Sequence, residues 1–79
     1  MDFIKRLGSD SHQSCHQTVG CPDIWELADG DFAVIGTDIT DAAASKLPPT
    51  AGCGLGEKIV RLPRNLLVNA KRDIPDRVS

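Results

Sequence analysis

The pair Asp29-Gly30 lies between two apolar segments, and it constrains the fold of this chain more than any other feature. Both central residues of a type I′ turn adopt positive φ angles, which Asp-Gly tolerates well, so the pair predicts a two-residue hairpin turn. Such a turn determines which residues of the two flanking strands lie opposite each other. The predicted pairs are Leu27 with Phe32, Glu26 with Ala33, Trp25 with Val34 and Ile24 with Ile35.

Side chains alternate between the two faces of a strand, so this pairing predicts one strongly apolar face and one mixed face. The large apolar groups of both strands fall together, which is typical of a face that packs against a core. The predicted apolar face contains Trp25, Leu27, Phe32 and Val34, and the predicted mixed face contains Ile24, Glu26, Ala33 and Ile35.

Three further elements are predicted after the hairpin. A short helix over residues 40–47 begins at Thr40 as N-cap and ends before two prolines. A third strand covers residues 58–62. A second helix opens at Pro63, and its apolar stripe is formed by Leu66, Leu67, Ala70 and Ile74. The chain is therefore predicted to be an α+β domain in the order β-β-α-β-α, with a three-stranded antiparallel sheet whose apolar face is covered by the C-terminal helix.

The first 20 residues are predicted to be a flexible leader. Residues 1–8 contain Phe3, Ile4 and Leu7 at helical spacing, but a helix this short is not stable alone. Residues 9–20 are polar and show no periodicity. The folded domain is expected to span residues 21–75, followed by a short tail over residues 76–79.

The predicted location is the cytoplasm. The start of the chain has no apolar segment typical of a signal peptide, and no apolar run approaches the roughly 20 residues of a membrane-spanning helix. The odd number of cysteines argues against a secreted disulfide framework. Cys21 and Cys53 both flank predicted strands, and we expect them to form a buried reduced pair.

Four potential zinc ligands fall within ten residues near the N-terminus. Zinc requires four nitrogen or sulfur ligands in a tetrahedron, and a small domain would gain stability from a metal. The spacing, however, lacks the paired Cys-x2-Cys arrangement, so no metal or other cofactor is predicted. A zinc-stabilised domain is the second alternative, and its ligands would be His12, Cys15, His16 and Cys21.

The sequence gives no support for an enzyme. Both histidines lie in the predicted leader, and the acidic residues fall at turns and helix ends, where capping explains them. The stretch GCGLGEK over residues 52–58 lacks the Walker pattern of a phosphate-binding loop. No catalytic residues are assigned.

Charge is distributed unevenly along the chain. Residues 21–50 carry a net charge of −5 and residues 51–79 a net charge of +3, so two copies or two proteins could associate through opposite charges. A chain of 79 residues buries a thin core, and disulfides, a metal or a partner subunit are the usual sources of added stability. Both observations favour a protein-interaction module that forms a homodimer.

The stretches CPDIWELADGDFAVIGTDITD and GEKIVRLPRNLLVNAKRDIP resemble small uncharacterised actinobacterial proteins that are encoded near helix-turn-helix regulators. The resemblance spans residues 21–75. It implies a regulatory accessory protein that acts by binding another protein, with a helix-turn-helix regulator as a partner to consider.

Our main hypothesis is therefore a non-enzymatic, regulatory protein-interaction module. The predicted contact residues are Ile24, Ile35, Ile59, Arg61 and Arg64. The alternative is a small DNA-binding regulator, since residues 59–72 resemble the strand and basic helix of swapped-hairpin transcription factors. Its contact residues would be Arg61, Arg64, Lys71 and Arg72, although the acidic pI makes nucleic acid an unfavoured partner.

Overall fold

The computed structural model describes residues 1–8 and 20–76. It contains a three-stranded antiparallel sheet, a two-stranded sheet and two short α-helices, which confirms the predicted α+β class. No helix within these ranges is long and apolar enough to cross a membrane. The elements are β1 (Phe3–Arg6), β2 (Asp23–Leu27), β3 (Phe32–Ile35), β4 (Thr37–Asp38), α1 (Thr40–Ala43) with a 3₁₀ turn (Ala44–Lys46), β5 (Val60–Arg61), and α2 (Arg64–Ala70) with a 3₁₀ turn (Lys71–Asp73).

The hairpin between β2 and β3 forms at the predicted place with a different turn. The Leu27 N–H donates to the Asp31 carbonyl at 2.8 Å, and the Gly30 N–H donates to the Leu27 carbonyl at 3.0 Å. The loop therefore holds three residues, 28–30, and Gly30 at its end has a φ of 95°. This is the usual three-residue hairpin loop, with glycine in the left-handed position. The two-residue turn was one residue too short.

That single residue changes the pairing of the whole hairpin. Ile24 lies opposite Val34, and Asp23 lies opposite Ile35, so the predicted pairing of Ile24 with Ile35 is wrong. Because side chains alternate with a period of two, a shift of β3 by one residue relative to β2 moves each β3 side chain to the opposite face relative to β2. Ile24 shares its face with Glu26, Phe32 and Val34, and Trp25 shares the opposite face with Asp23, Ala33 and Ile35.

The third strand of this sheet comes from the N-terminal segment. Residues 3–6 form β1, which pairs antiparallel with β2 so that Arg6 lies opposite Trp25, and a bulge interrupts the register between Phe3 and Lys5. Leu7 follows the strand and is completely buried. The helical turn expected over residues 1–8 was wrong, because so short an apolar pattern fits either period and strand pairing decides. The fold therefore includes residues that were assigned to a leader.

The strand predicted over residues 58–62 forms only at Val60–Arg61. It does not join the three-stranded sheet but pairs with β4 in a sheet of its own. Gly36, just before β4, allows this close approach, since a Cβ at that position would lie 2.7 Å from the Arg61 carbonyl oxygen. The prediction therefore gave the correct number of strands for the main sheet, but its third strand was the wrong segment of the chain.

Helix α2 packs on the three-stranded sheet through Leu66 and Ala70, which form the core together with Leu7 and Ile24. The helix thus covers the face that carries Ile24 and not the face that carries Trp25, because the register differs from the predicted one. Of the predicted apolar stripe, Leu66 and Ala70 are buried, whereas Leu67 and Ile74 are exposed.

Gly8, which follows β1, lies directly against the backbone of α2. Its φ of 64° is left-handed, and a Cβ there would lie 2.9 Å from the Ala70 backbone nitrogen. Its N–H donates to the Asp73 carboxylate at 2.8 Å. Only glycine combines this conformation with so close an approach to a helix backbone.

Helix α1 begins at Thr40, but Thr40 is not its N-cap, since Ile39 occupies that position without a side-chain cap. The Asp38 carboxylate accepts hydrogen bonds from the Thr40 hydroxyl at 2.6 Å and the Thr40 N–H at 3.0 Å. The Thr40 hydroxyl oxygen in turn accepts from the Ile59 N–H at 2.9 Å. Thr40 therefore joins the start of α1 to the segment before β5.

Candidate functional site

One face of the three-stranded sheet is left without a covering helix, because α2 packs on the other. We call it the Trp25 face and define it by Phe3, Arg6, Asp23, Trp25, Ala33 and Ile35. Within residues 1–8 and 20–76, the buried core cluster that contains Leu66 and Ala70 of α2 includes no residue of this face. Phe3 and Ile35 are each about half exposed, at 51% and 53%. The Trp25 face therefore presents large apolar side chains to solvent.

An ion pair lies at the centre of the Trp25 face. Asp23 is only 5% exposed, and its carboxylate oxygens each accept a hydrogen bond from Arg6 Nε at 3.2 Å. The Trp25 indole N–H donates to the same carboxylate at 2.8 Å, and the Ile24 N–H donates at 3.1 Å. A buried carboxylate needs such partners, because an unpaired buried charge is strongly destabilising.

Aromatic contacts complete this cluster. The Arg6 guanidinium carbon lies 4.8 Å from the centre of the Trp25 ring, a cation–π arrangement. The Phe3 ring meets the Trp25 ring edge to face, with 6.0 Å between centroids and an interplanar angle of 73°. Arg6 and Trp25 are thus held in place by contacts within the chain. Tryptophan and arginine are also the residues that most often dominate binding energy at interfaces.

The carboxylate of this face is already hydrogen-bonded within the face. Its one carboxylate is occupied by Arg6 and Trp25, and the face carries no histidine, cysteine or serine. Among the described residues, no group of three histidine, cysteine, aspartate or glutamate side chains could hold a metal ion. What the face offers is a rigid apolar and aromatic surface with one fixed cation.

The five predicted contact residues do not form one surface. Ile24 is 4% exposed and lies in the core, so it cannot contact a partner. Ile35 lies on the Trp25 face. Ile59 is half-buried, and its backbone bonds to Thr40 and Ile39. Arg61 and Arg64 are exposed.

Ile35 and Arg61 come together at one end of the Trp25 face. Both line a depression of about 380 Å³ between the start of β2 and the two-stranded sheet. Arg61 forms no ion pair with any residue in the described ranges. The other residues that line the depression are Gly20, Cys21, Pro22, Gly36, Thr37 and Pro63.

The sequence could have revealed part of the Trp25 cluster. Asp23 and Trp25 are two residues apart in a strand, so they point to the same side and can interact. Phe3 and Arg6 could not be assigned to this cluster while residues 1–8 were expected to form a helical turn, because only strand pairing places Arg6 opposite Trp25.

The basic residues of the DNA-binding alternative are all exposed, but they fall into two groups. Arg61 and Arg64 lie at β5 and the first residue of α2, and Lys71 and Arg72 lie in the 3₁₀ turn after α2. Lys71 follows Arg64 by seven positions, which corresponds to about 10 Å along the helix axis. The helix between them exposes the apolar side chains of Leu67 and Val68.

The cysteines differ from the predicted reduced pair. Cys21 is disulfide-bonded, whereas Cys53 is a free cysteine whose thiol donates to the Glu57 carbonyl at 3.3 Å. The two are therefore not bonded to each other, and a disulfide sulfur is not available as a thiolate ligand for zinc. The other candidate zinc ligands, His12, Cys15 and His16, lie outside the described residues.

Comparison with known proteins adds no candidate function to this geometry. No family model matches the chain, and neither the curated proteins nor the solved structures include a significant match. A functional proposal must therefore be built on the Trp25 face and its residues.

Proposed function

We propose that this protein is a non-enzymatic interaction module, a regulatory accessory protein that binds another protein through its Trp25 face. The observation that carries the proposal is the cluster of exposed Phe3 and Arg6 with half-buried Trp25, anchored by the buried carboxylate of Asp23. The buried cluster that α2 forms with the sheet contains Leu7 and Ile24 from the opposite face, and it includes none of these three residues.

Preorganisation is the physical reason for expecting binding here. Ordering a long side chain at an interface opposes association by about 0.5–1.5 kcal/mol, and Arg6 is already ordered by Asp23 and Trp25. Phe3 and Ile35 supply exposed apolar area that a partner would remove from water. An aromatic anchor beside a fixed arginine is the usual composition of an interface centre.

The partner that fits this face is a protein with a complementary apolar patch and an acidic group for Arg6. A helix-turn-helix regulator is the class that the sequence resemblance implies, and it is the first to test. The proposed location is the cytoplasm. Disulfides are rare there and are usually redox-active, so the Cys21 disulfide counts against this location. Alkylation of free thiols in the source cell before lysis shows whether Cys21 is reduced there.

Phe3→Asp is the variant that tests the Trp25 face. The substitution places a charge beside Trp25, at a position where the Phe3 side chain is half exposed. Leu55→Asp is the matched control, because Leu55 is fully exposed in the loop before β5, away from this face. Wild type and both variants are immobilised, and the proteins captured from the source cell are quantified by mass spectrometry.

We expect wild type and Leu55→Asp to capture the same proteins and Phe3→Asp to lose them. Binding of a purified partner is then followed by the emission of Trp25, the one tryptophan in the chain. Equal capture by all three proteins would overturn the proposal. Retention on heparin at physiological salt, lost when Arg61 and Arg64 are changed to alanine, would favour the DNA-binding alternative instead.

A further inference from the structure

The outer edge of β3 is open. β3 lies at one end of the strand order β1-β2-β3 and pairs only with β2 among the described residues. Its four residues are Phe32, Ala33, Val34 and Ile35, with no charge, no proline and no bulge. Phe32 and Val34 are 43% and 45% exposed.

The backbone groups on this edge can be assigned from the pairing. The Leu7 N–H donates to the Ile24 carbonyl, so the main chain of Ile24 faces β1. Val34 lies opposite Ile24, and in an antiparallel ladder the two members of such a pair both turn their N–H and C=O away from each other. The main chain of Val34 therefore points outward from the sheet, and so does that of Phe32 two residues earlier. No described residue bonds these outward groups.

The other edge of the same sheet is protected. β1 carries a bulge between Phe3 and Lys5, and its last two residues, Lys5 and Arg6, are basic. Bulges and edge lysines are the devices by which proteins prevent edge-to-edge pairing. Two copies of β1 would also bring like charges together. β3 has none of these features, so two copies of β3 can approach without electrostatic repulsion within the strand.

We propose that a second copy of this chain pairs with β3 edge to edge, antiparallel, about a two-fold axis through Ala33. A two-fold axis normal to the sheet places one residue opposite itself and keeps the two faces aligned. With Ala33 on the axis, Phe32 lies opposite Val34 of the second copy, and Val34 lies opposite Phe32 of the second copy. Each of these is a hydrogen-bonded pair, so every outward N–H and C=O of the two residues is satisfied.

The side chains agree with this register. Phe32 and Val34 lie on the same face, so the pairing sets an aromatic ring beside a β-branched side chain twice, which is a favourable cross-strand combination. Both are exposed in the single chain and would be covered. Ala33 at the axis is small, so two copies can meet there without a clash.

The inference deepens the proposed function and rests on it in one respect, since it names one partner of the interaction module as a second copy. Edge pairing produces a six-stranded sheet with two Trp25 faces side by side. A specific interface buries about 800 Å² on each partner. One face of a three-stranded sheet with short strands offers little area for this, whereas a six-stranded sheet offers twice as much.

Sedimentation equilibrium of wild type over a range of concentrations is the test, and it is expected to give twice the chain mass. Val34→Pro removes only an outward N–H and leaves the bonds from β3 to β2, as proline is tolerated on an edge whose N–H faces solvent. It should weaken the dimer roughly tenfold or more, since two symmetric hydrogen bonds are lost. Val34→Lys should do the same if proline prevents folding, which circular dichroism reports.

Ile4→Lys is the matched control on the protected edge. Ile4 is as exposed as Val34 is, or more so, and this variant should dimerise like wild type. A monomeric wild type, or a dimer that Val34→Pro and Val34→Lys leave unchanged, would overturn edge pairing. Phe3→Asp tests the Trp25 face independently of dimerisation, because this variant should remain dimeric but lose the captured proteins. Unchanged capture by Phe3→Asp would contradict the proposed function and would leave edge pairing unaffected.

Discussion

The two sheets of this protein are held together by different forces. Among residues 1–8 and 20–76, every buried residue lies in the three-stranded sheet, in the segments that flank it or in α2, and none lies between residues 28 and 65. In the two-stranded sheet and α1 the apolar residues are at most half-buried, and hydrogen bonds such as those of Thr40 with Asp38 and Ile59 join the segments. Apolar burial is the dominant favourable term in folding, whereas one hydrogen bond contributes about 1 kcal/mol net.

From this difference we expect the half with the three-stranded sheet to be stable and the half with the two-stranded sheet to open locally. Regions with few buried apolar contacts exchange their amide hydrogens through local opening, without unfolding of the whole chain. Amide hydrogens of β2 should therefore exchange much more slowly than those of β4 and β5. The predictions below test the two halves, from the largest expected effect to the smallest.

Leu66→Ala should have the largest effect, because Leu66 is 1% exposed at the centre of the core. Such a truncation destabilises by about 2–5 kcal/mol, which approaches the whole stability of a domain this small. We expect loss of cooperative thermal unfolding by circular dichroism. Leu67→Ala on the same helix is the control, and it should change stability by less than about 0.5 kcal/mol because Leu67 is exposed. Equal effects at the two positions would contradict the assignment of the buried helix face.

Gly8→Ala should come next. The added methyl group meets the Ala70 backbone nitrogen at 2.9 Å, and the left-handed φ adds strain, so we expect a loss of about 2–4 kcal/mol in urea unfolding. Gly30→Ala is the matched control, since Gly30 is also left-handed but has open space around a Cβ. Its smaller loss measures the strain alone. If the two variants lose the same stability, the close approach of Gly8 to α2 is not significant.

Asp23→Asn should destabilise by about 1–3 kcal/mol, because it removes the charge that pairs with Arg6 in a buried position. The emission of Trp25 should change as well, since its indole N–H donates to the same carboxylate. Asp31→Asn provides the control: the Asp31 side chain is exposed and makes no described contact. An unchanged Trp25 spectrum in Asp23→Asn would argue against the cluster.

Thr40→Val acts on the two-stranded half and should have a smaller global effect. The change keeps the shape of the side chain but removes the hydroxyl that accepts from the Ile59 N–H. We expect about 0.5–1.5 kcal/mol in urea unfolding, with faster hydrogen exchange confined to residues 37–61. Thr50→Val, at an exposed loop position, should leave exchange unaltered. Exchange that also accelerates in β2 would show that the two halves open together.

The smallest predicted effect is the loss of stability that acid causes in the half with the two-stranded sheet. The hydrogen bond from the Thr40 hydroxyl, then that from the Thr40 N–H and the nearby Lys58 charge, lower the pKa of Asp38 below its ordinary value of 3.8. A carboxylate whose pKa is lowered by folding contributes stability above its unfolded pKa and loses that contribution as pH falls through the folded pKa. The difference in melting temperature between wild type and Asp38→Asn should therefore be present at pH 6 and shrink below pH 3.8. A constant difference would mean that the Asp38 charge has no part in it.

The sequence predicted the elements that have local signals and missed those set by tertiary pairing. The Asp29-Gly30 pair located the hairpin correctly. The predicted register was wrong because two-residue and three-residue hairpin loops both favour glycine at their last position, so the pair does not determine the loop length. Leu66 and Ala70 were recognised by helical periodicity. β1 was missed because the apolar pattern of residues 3–7 fits helix and strand alike, and only β2 decides between them.

The Trp25 face was missed for the same reason. A one-residue error in register moved Ile24 to the surface and placed Phe32 and Val34 beside Trp25, so the cluster of Arg6, Asp23 and Trp25 could not be foreseen. The fold class survives such an error, because it depends on the number and type of elements. A binding surface does not, because it depends on which side each residue faces.

The contact between Gly8 and Asp73 has a consequence for synthesis of the chain. These residues are 65 positions apart, and the core needs both β1 and α2. While the ribosome is still making the middle of the chain, β1, β2 and β3 can meet, but the sheet face that carries Ile24 has nothing to cover it. The nascent chain must therefore wait for its last helix before the core closes, and until then its apolar sheet is exposed to aggregation.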